Sequence, residues 1–287
     1  MYSLCHLLVK ALSHIPFAVL YALSDALYYL LYYVIRYRRK LVRRNLTESF
    51  PEKSPQEIVR IEKRFYHFFM DMLLETCKLA SISPEEMRRR VTFPNFEQAN
   101  EVVREGRSVT FFIGHCGNWE WMSSVGLWID EGAVLAQVYH RLTNPVMDAL
   151  MKHLRERMGN VCVEMRETAR FVSHRRSEGK PCMMALIADH SPKWRDIRHY
   201  VQFLHHEVPG LVGPEKMTKR YGHVPFFVHL RRLRRGYYEC ELTLLHKHPE
   251  ELPDYELTDL YFKYLEAEIL AQPECYLWTH NRFKYAR

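Results

Sequence analysis

The sequence predicts an α/β fold: a mixed sheet flanked by helices, with an N-terminal membrane-associated helical segment. Three observations carry that prediction. Six short apolar runs, rich in β-branched and aromatic residues, follow one another after residue 106. Helical patterns alternate with several of them, the arrangement of a buried sheet covered on both faces. Ahead of both lies a long apolar stretch that runs straight into a basic cluster.

The apolar stretch covers residues 15–35. At about 20 residues it is long enough to span a bilayer. Ser24 and Asp25 sit at its middle, where a carboxylate costs about 2.5–3.5 kcal/mol on insertion scales. Tyr21, Tyr28, Tyr29, Tyr32 and Tyr33 favour the headgroup level over the hydrocarbon centre. No small-residue cleavage site follows, so a removable signal peptide is not expected. The next segment, Arg36-Tyr37-Arg38-Arg39-Lys40-Leu41-Val42-Arg43-Arg44, holds six basic residues and no acidic one. Such a cluster attracts anionic headgroups and keeps the chain that follows on the cytoplasmic side. The segment is therefore a single span or a helix lying in the interface; a buried helix of a soluble domain is the plainer alternative. Residues 1–45 are expected as a membrane-associated helix and basic segment, and 46–287 as the α/β domain.

Ser54-Pro55-Gln56-Glu57 reads as a helix start with a capping box. Ile58, Ile61, Phe65, Phe68 and Met72 then follow at helical spacing on one face. Ser83-Pro84-Glu85-Glu86 repeats the start signal. The strand-like runs are 107–113, 133–139, 161–164, 182–188, 224–229 and 237–245. Helices are expected over 118–130, 145–158, 166–177 and 211–221, with a late one over 257–271. Sites in such folds gather at the carboxyl ends of the strands.

Composition narrows the class further. Hydrophobic residues make up 47% of the 287, so a sizeable core is available and disorder is not the default. A net charge of +7 points to an anionic partner: a membrane surface, a phosphorylated substrate or nucleic acid. The seven cysteines, Cys5, Cys77, Cys116, Cys162, Cys182, Cys240 and Cys275, are odd in number, widely spaced and without a CxxC. That argues against a disulfide framework or zinc ribbon and for a reducing compartment. The 16 histidines include no HxxxH or HExxH pair, so no helical metal pair is present.

One constellation carries chemistry: His115-Cys116-Gly117-Asn118-Trp119-Glu120. Five residues along an ideal helix turn about 500°, which leaves the two end side chains about 140° apart. They meet only if His115 lies in the strand–helix turn and Glu120 in the first helical turn. A carboxylate beside an imidazole fixes its tautomer and raises its basicity, as a general base requires. This suits attack by a hydroxyl on a thioester or ester carbonyl, and GxSxG is absent. The alternative is that His115 fills a strand end and Glu120 merely favours the helix dipole.

The run Phe111-Phe112-Ile113-Gly114-His115-Cys116-Gly117-Asn118-Trp119-Glu120 resembles the signature block of the bacterial lipid A late acyltransferases. Those belong to the glycerolipid acyltransferase superfamily with its His-x4-Asp/Glu motif. Residues 38–51 look like that family's basic stretch after the membrane helix. Tyr139-His140-Arg141 with Asn144-Pro145 is similar to its second block, and Arg155 falls where an arginine is frequent. Leu186-Ile187-Ala188-Asp189-His190-Ser191-Pro192 resembles its Asp-Gln block, with His190 replacing the usual glutamine. Residues 273–284 look like its C-terminal signature.

The resemblance implies transfer of a fatty acyl chain from acyl carrier protein or coenzyme A to a hydroxyl of a lipid A precursor. The work would be done at the cytoplasmic face of the inner membrane, with no metal and no cofactor. His115 would take the proton and Glu120 would orient and charge it. Backbone amides at the start of an Asn118 helix would bind the oxyanion. Arg141 and Arg155 would hold phosphate or developing charge, and Asp189 would orient Arg141 or the substrate, or simply cap its strand. Two departures stand out: His205-His206 in a turn where glycine is frequent, read as a solvated loop, and Cys116 where phenylalanine or leucine is frequent. Competing readings are an acyltransferase acting on another membrane glycolipid or phospholipid, a thioesterase with water as acceptor, and a basic membrane-surface protein. The arginine clusters at 88–90, 231–232 and 234–235 come with no RNA-binding signature, so nucleic acid is not expected.

Overall fold

The computed structural model describes residues 2–287, with side chains from Cys5 onward. The N-terminal third is helical, as the capping signals predict. Helices α1 (Tyr2–His14) and α2 (Phe17–Tyr29) are separated at Pro16, and α2 continues into a π-helical turn, Leu30–Ile35. Arg36 and Arg38 both adopt left-handed backbone (φ 55° and 49°), reversing the chain into α3 (Arg39–Ser49). The 24-residue α4 (Pro55–Lys78) opens on the expected capping box of Ser54 and Glu57. Helix α5 (Pro84–Arg90) starts at the Ser83 cap.

The sheet follows. Its elements are β1 (Val91–Thr92), α6 (Glu97–Arg104), β2 (Val109–Ile113), β3 (Leu135–Tyr139), α7 (Pro145–Glu156), β4 (Val161–Glu164), α8 (Thr168–Ser177), β5 (Met183–Ile187), β6 (Tyr200–Phe203), β7 (His206–Pro209), α9 (Gly213–Tyr221), β8 (Val224–Arg234), β9 (Tyr237–Leu244) and α10 (Glu256–Ala271). Seven strands form one sheet in the order β1-β9-β8-β2-β5-β3-β4. Strands β8, β2, β5, β3 and β4 are parallel; β9 runs antiparallel to β8. The sheet is therefore mixed, with helices packed on it. β2 is central and buried along its whole length. Its side chains alternate between faces: Phe111 joins a cluster with Phe226, Met183 and Val125, while Phe112 joins one with Phe227, Tyr261 and Leu265.

Two local expectations are corrected. Residues 118–130 are not an α-helix; after an irregular loop only a 3-10 stretch forms, Trp121–Leu127. The segment is pressed against residues 158–160. A Cβ on Gly126 would lie 2.1 Å from the Met158 carbonyl oxygen, and the Ser123 carbonyl is taken by the Asn160 side chain. A regular helix would need that carbonyl for itself. Residues 203–210, expected as a solvated loop, belong to the β6–β7 hairpin. Leu204 and His205 form its tip with φ of 50° and 64°, the pairing of positive angles that a tight two-residue hairpin turn demands.

The apolar N-terminal stretch docks lengthwise on the domain. Leu20, Ser24, Tyr28 and Tyr32 form a buried stripe at four-residue spacing, and α2 packs against α4. Ser24 donates to Asp71 at 2.7 Å, and Asp25 pairs with Arg235 at 2.6 Å and His67 at 3.0 Å. The carboxylate that looked costly in the sequence is thus compensated from α4 and the β8–β9 turn. The opposite face leaves Val19, Tyr29, Leu30, Val34 and Ile35 exposed.

Candidate active site

Strands β2 and β5 are parallel neighbours with Ile113 opposite Ile187. Two residues beyond each strand end, His115 and Asp189 therefore stand side by side at the carboxyl edge of the sheet. The His115 ring Nδ1 lies 2.6 Å from Asp189 Oδ1, and its backbone N–H donates to Oδ2 at 3.4 Å. Asp189 is 1% exposed. Burial alone would raise its pKa, but the His115 charge and hydrogen bond, with His190 and Arg282 beyond, outweigh it and hold the carboxyl well below its usual range. A carboxylate at Nδ1 assigns the proton there and leaves the lone pair on Nε2.

This corrects the expected partner of the base. Glu120 does not serve the imidazole: both its oxygens accept from Arg155, at 2.8 and 2.7 Å. The pair is bidentate and largely buried, with side-chain exposures of 11% and 23%. Arg155 is accordingly engaged rather than free for phosphate. Arg141 is the opposite case: its side chain is 65% exposed and its nearest carboxylate, Asp148, is 3.8 Å away.

Asn118 is fully buried. Its Oδ1 accepts from the Trp121 N–H, and its amide donates to Glu75 at 2.9 Å. Glu75 also accepts from Tyr238 at 2.7 Å and Tyr21 at 2.9 Å. The helix expected to open at Asn118 is absent. The amides of Trp121, Met122 and Ser123 are bonded back to residues 118–120.

The loop is fixed from the C-terminal side too. Leu277 N–H donates to the His115 carbonyl at 3.0 Å, and Gly117 N–H to the Cys275 carbonyl at 2.9 Å. Gly117 adopts φ +54°, and a Cβ there would lie 2.9 Å from the Leu230 carbonyl oxygen, so only glycine fits. Trp119 packs edge-on against His115 at 5.1 Å. Cys116 is buried, and desolvation pushes its thiol well above the ordinary value, which suits packing and not nucleophilic attack.

Sequence reasoning missed the role of Asp189, all of Glu75 and the place of His280. The signal for Asp189 was present in one half only. A carboxylate two residues past a buried strand was visible, but not that this strand lies beside β2. Among the described residues, one group of metal-ligating side chains comes close enough to share an ion: Asp25, His67 and Asp71. Arg232 and Arg235 already meet Asp71 there.

The family model for bacterial lipid A biosynthesis acyltransferases matches residues 1–285. Over 115 residues the chain is 29% identical to lipid A biosynthesis acyltransferase 2 of Shigella flexneri, covering 40% of this chain and 36% of that protein. It is also 29% identical over 115 residues to the lipid A biosynthesis myristoyltransferase of Escherichia coli strain K12, covering 40% and 35%. The matched segment thus spans about a third of the length of these relatives. With the family model covering nearly every residue, the chain belongs to the bacterial lipid A biosynthesis acyltransferases.

Proposed function

We propose that this protein moves a fatty acyl chain from an acyl thioester, carried by acyl carrier protein or coenzyme A, to a hydroxyl of a lipid A precursor. The observation that carries the reading is the His115–Asp189 hydrogen bond at the carboxyl edge of the sheet, with Nε2 left for the substrate. In the reaction the acceptor hydroxyl gives its proton to His115 Nε2 as its oxygen bonds to the thioester carbon. The carbonyl electrons move onto oxygen. The resulting oxyanion then re-forms the carbonyl, the C–S bond breaks, and the departing thiolate takes the proton back from His115. Asp189 stays ionised and stabilises the imidazolium between the two steps. Glu120 acts one step removed by fixing the Arg155 guanidinium, and Arg141 is an exposed cation for a phosphate of the acceptor.

The site works at an anionic membrane, on the cytoplasmic face of the inner membrane. The long apolar helix lies in the interface and does not cross it. Its buried stripe and mid-helix ion pairs face the protein, its other face is apolar and open, and a groove lined by Arg36, Arg38, Lys40 and Arg44 adjoins it. The whole reading is tested by acyl transfer to a phosphorylated lipid A precursor with folded His115→Ala protein. A drop of about 10²–10⁴-fold is expected; near-normal turnover would sink it. Free fatty acid formed without acceptor would make the protein a thioesterase.

A further inference from the structure

His115 is the first of three stacked imidazoles. The His190 ring lies 4.3 Å from it at an interplanar angle of 13°, and the His280 ring lies 4.1 Å beyond His190 at 21°. His280 is anchored at both sides of its peptide: Asn45 donates to its carbonyl at 2.9 Å and to that of Trp278 at 3.0 Å, and Arg38 donates to the Thr279 carbonyl at 2.8 Å. The stack therefore rests on α3 and the C-terminal strap, and it fixes the plane of the middle ring.

The middle ring differs from His115 in having no hydrogen-bond partner for its nitrogens among the described residues, and from His280 in being exposed. His115 gives Nδ1 to Asp189. His190 has both faces covered by imidazoles, yet the residue is exposed, so its edge is open. No hydrogen bond to either of its ring nitrogens is found among the described residues. Burial of its faces, with repulsion from His115 and Arg282, outweighs the pull of Asp189 and lowers its pKa. The ring is neutral at working pH and carries one N–H. A neutral imidazole is a hydrogen-bond donor that does not surrender its proton, and it adds no like charge beside an imidazolium.

The amides of Trp121, Met122 and Ser123 are bonded elsewhere, and Arg155 is held by Glu120. The geometry points to His190 as a donor to the thioester carbonyl oxygen, an electrophilic partner to the base beside it. This rests on the acyl-transfer reading above. As the acceptor oxygen bonds to the carbonyl carbon, the π electrons move onto oxygen. The His190 N–H hydrogen-bonds that oxygen without transferring its proton. The electrons return as the C–S bond breaks. Parallel stacking places base and donor on adjacent levels of one column, so that one serves the attacking atom and the other the oxygen it charges.

Three variants separate this role from simple stacking. His190→Phe keeps a flat ring but no N–H. His190→Gln keeps a donor but no ring. His190→Ala has neither. Each is assayed with a dodecanoyl thioester and a phosphorylated lipid A precursor in detergent, after thermal melts confirm a native fold. The expected result is a kcat loss of about 10²–10³-fold in the Phe and Ala variants with KM little changed, while the Gln variant stays within about tenfold of wild type. A Phe variant with wild-type kcat overturns the assignment, and so does a Gln variant as slow as the Ala variant. His115→Ala runs alongside. If it retains turnover, the acyl-transfer reading itself fails; if it is inactive while His190→Phe is normal, only the assignment to His190 fails.

Discussion

Two buried carboxylates grip the 114–120 loop from opposite sides, and they are in opposite electrostatic states. On the front, Asp189 faces His115, with His190 and Arg282 behind, and its pKa is driven down. At the back, Glu75 sits on α4 and accepts from Asn118, Tyr238 and Tyr21, all neutral donors. Burial dominates there, and although those hydrogen bonds oppose it, the Glu75 pKa is raised. Both residues are almost fully buried, so depth is not what separates them. The difference lies in the partners. A carboxylate beside a ring that cycles between neutral and charged is useful in that cycle. A carboxylate among neutral donors holds a loop in place, and burial there disfavours its charged form.

The comparison breaks most visibly in turnover. Asp189→Asn keeps the volume but presents the wrong group to Nδ1, and kcat should fall about 10²–10⁴-fold with the fold retained. Glu75→Gln should leave kcat within a few-fold, because an amide oxygen can still accept from Asn118 and Tyr238. Steady-state kinetics on the two purified variants check this directly. Glu75→Ala is a stability defect instead. It orphans two buried donors at a cost of about 2–4 kcal/mol, to be read from urea unfolding.

A smaller effect separates Glu120 from Asp189. Glu120→Gln weakens the hold on Arg155, costs about 1–3 kcal/mol, and lowers kcat without moving the pH dependence of kcat/KM. Asp189→Asn should move that dependence, since it removes the carboxylate that His115 Nδ1 meets. The smallest effects have opposite sign. Asp189 has a depressed folded pKa, so its stabilisation is full above about pH 4 and is lost as pH falls through the folded value. The Tm gap between wild type and Asp189→Asn should narrow on acidification below pH 4. Glu75 has a raised folded pKa, so its ionised form penalises folding as pH rises above the unfolded value near 4.3. Glu75→Gln should therefore gain on wild type as pH is raised.

The same contrast explains what the sequence could reveal. Helix starts at Ser54 and Ser83 are local, made by side chains three residues apart, and they were legible. Six of the nine strands were legible because buried β-branched runs are local too; β1 and the β6–β7 hairpin were not. His115 stood out as a candidate because its motif is contiguous. What escaped was set by strand order. Asp189 reaches His115 only because β5 lies beside β2 in parallel register, and no periodicity announces which strands pair. Glu120 was assigned to His115 on proximity in sequence, while the arginine that claims it comes from α7, 35 residues on. The missing 118–130 helix failed for a like reason: Gly126 and Ser123 answer to residues 158–160, a tertiary demand that outweighs local preference.

The central claim is that His115 and Asp189 work as one unit. A double-mutant cycle on kcat tests it most directly, with Asp189→Asn measured in the wild-type and in the His115→Ala background. If the carboxylate acts through the ring, the substitution costs about 10²–10⁴-fold in wild type and nothing further once the ring is gone. An equal loss in both backgrounds would contradict the account and place Asp189 in a role independent of the base.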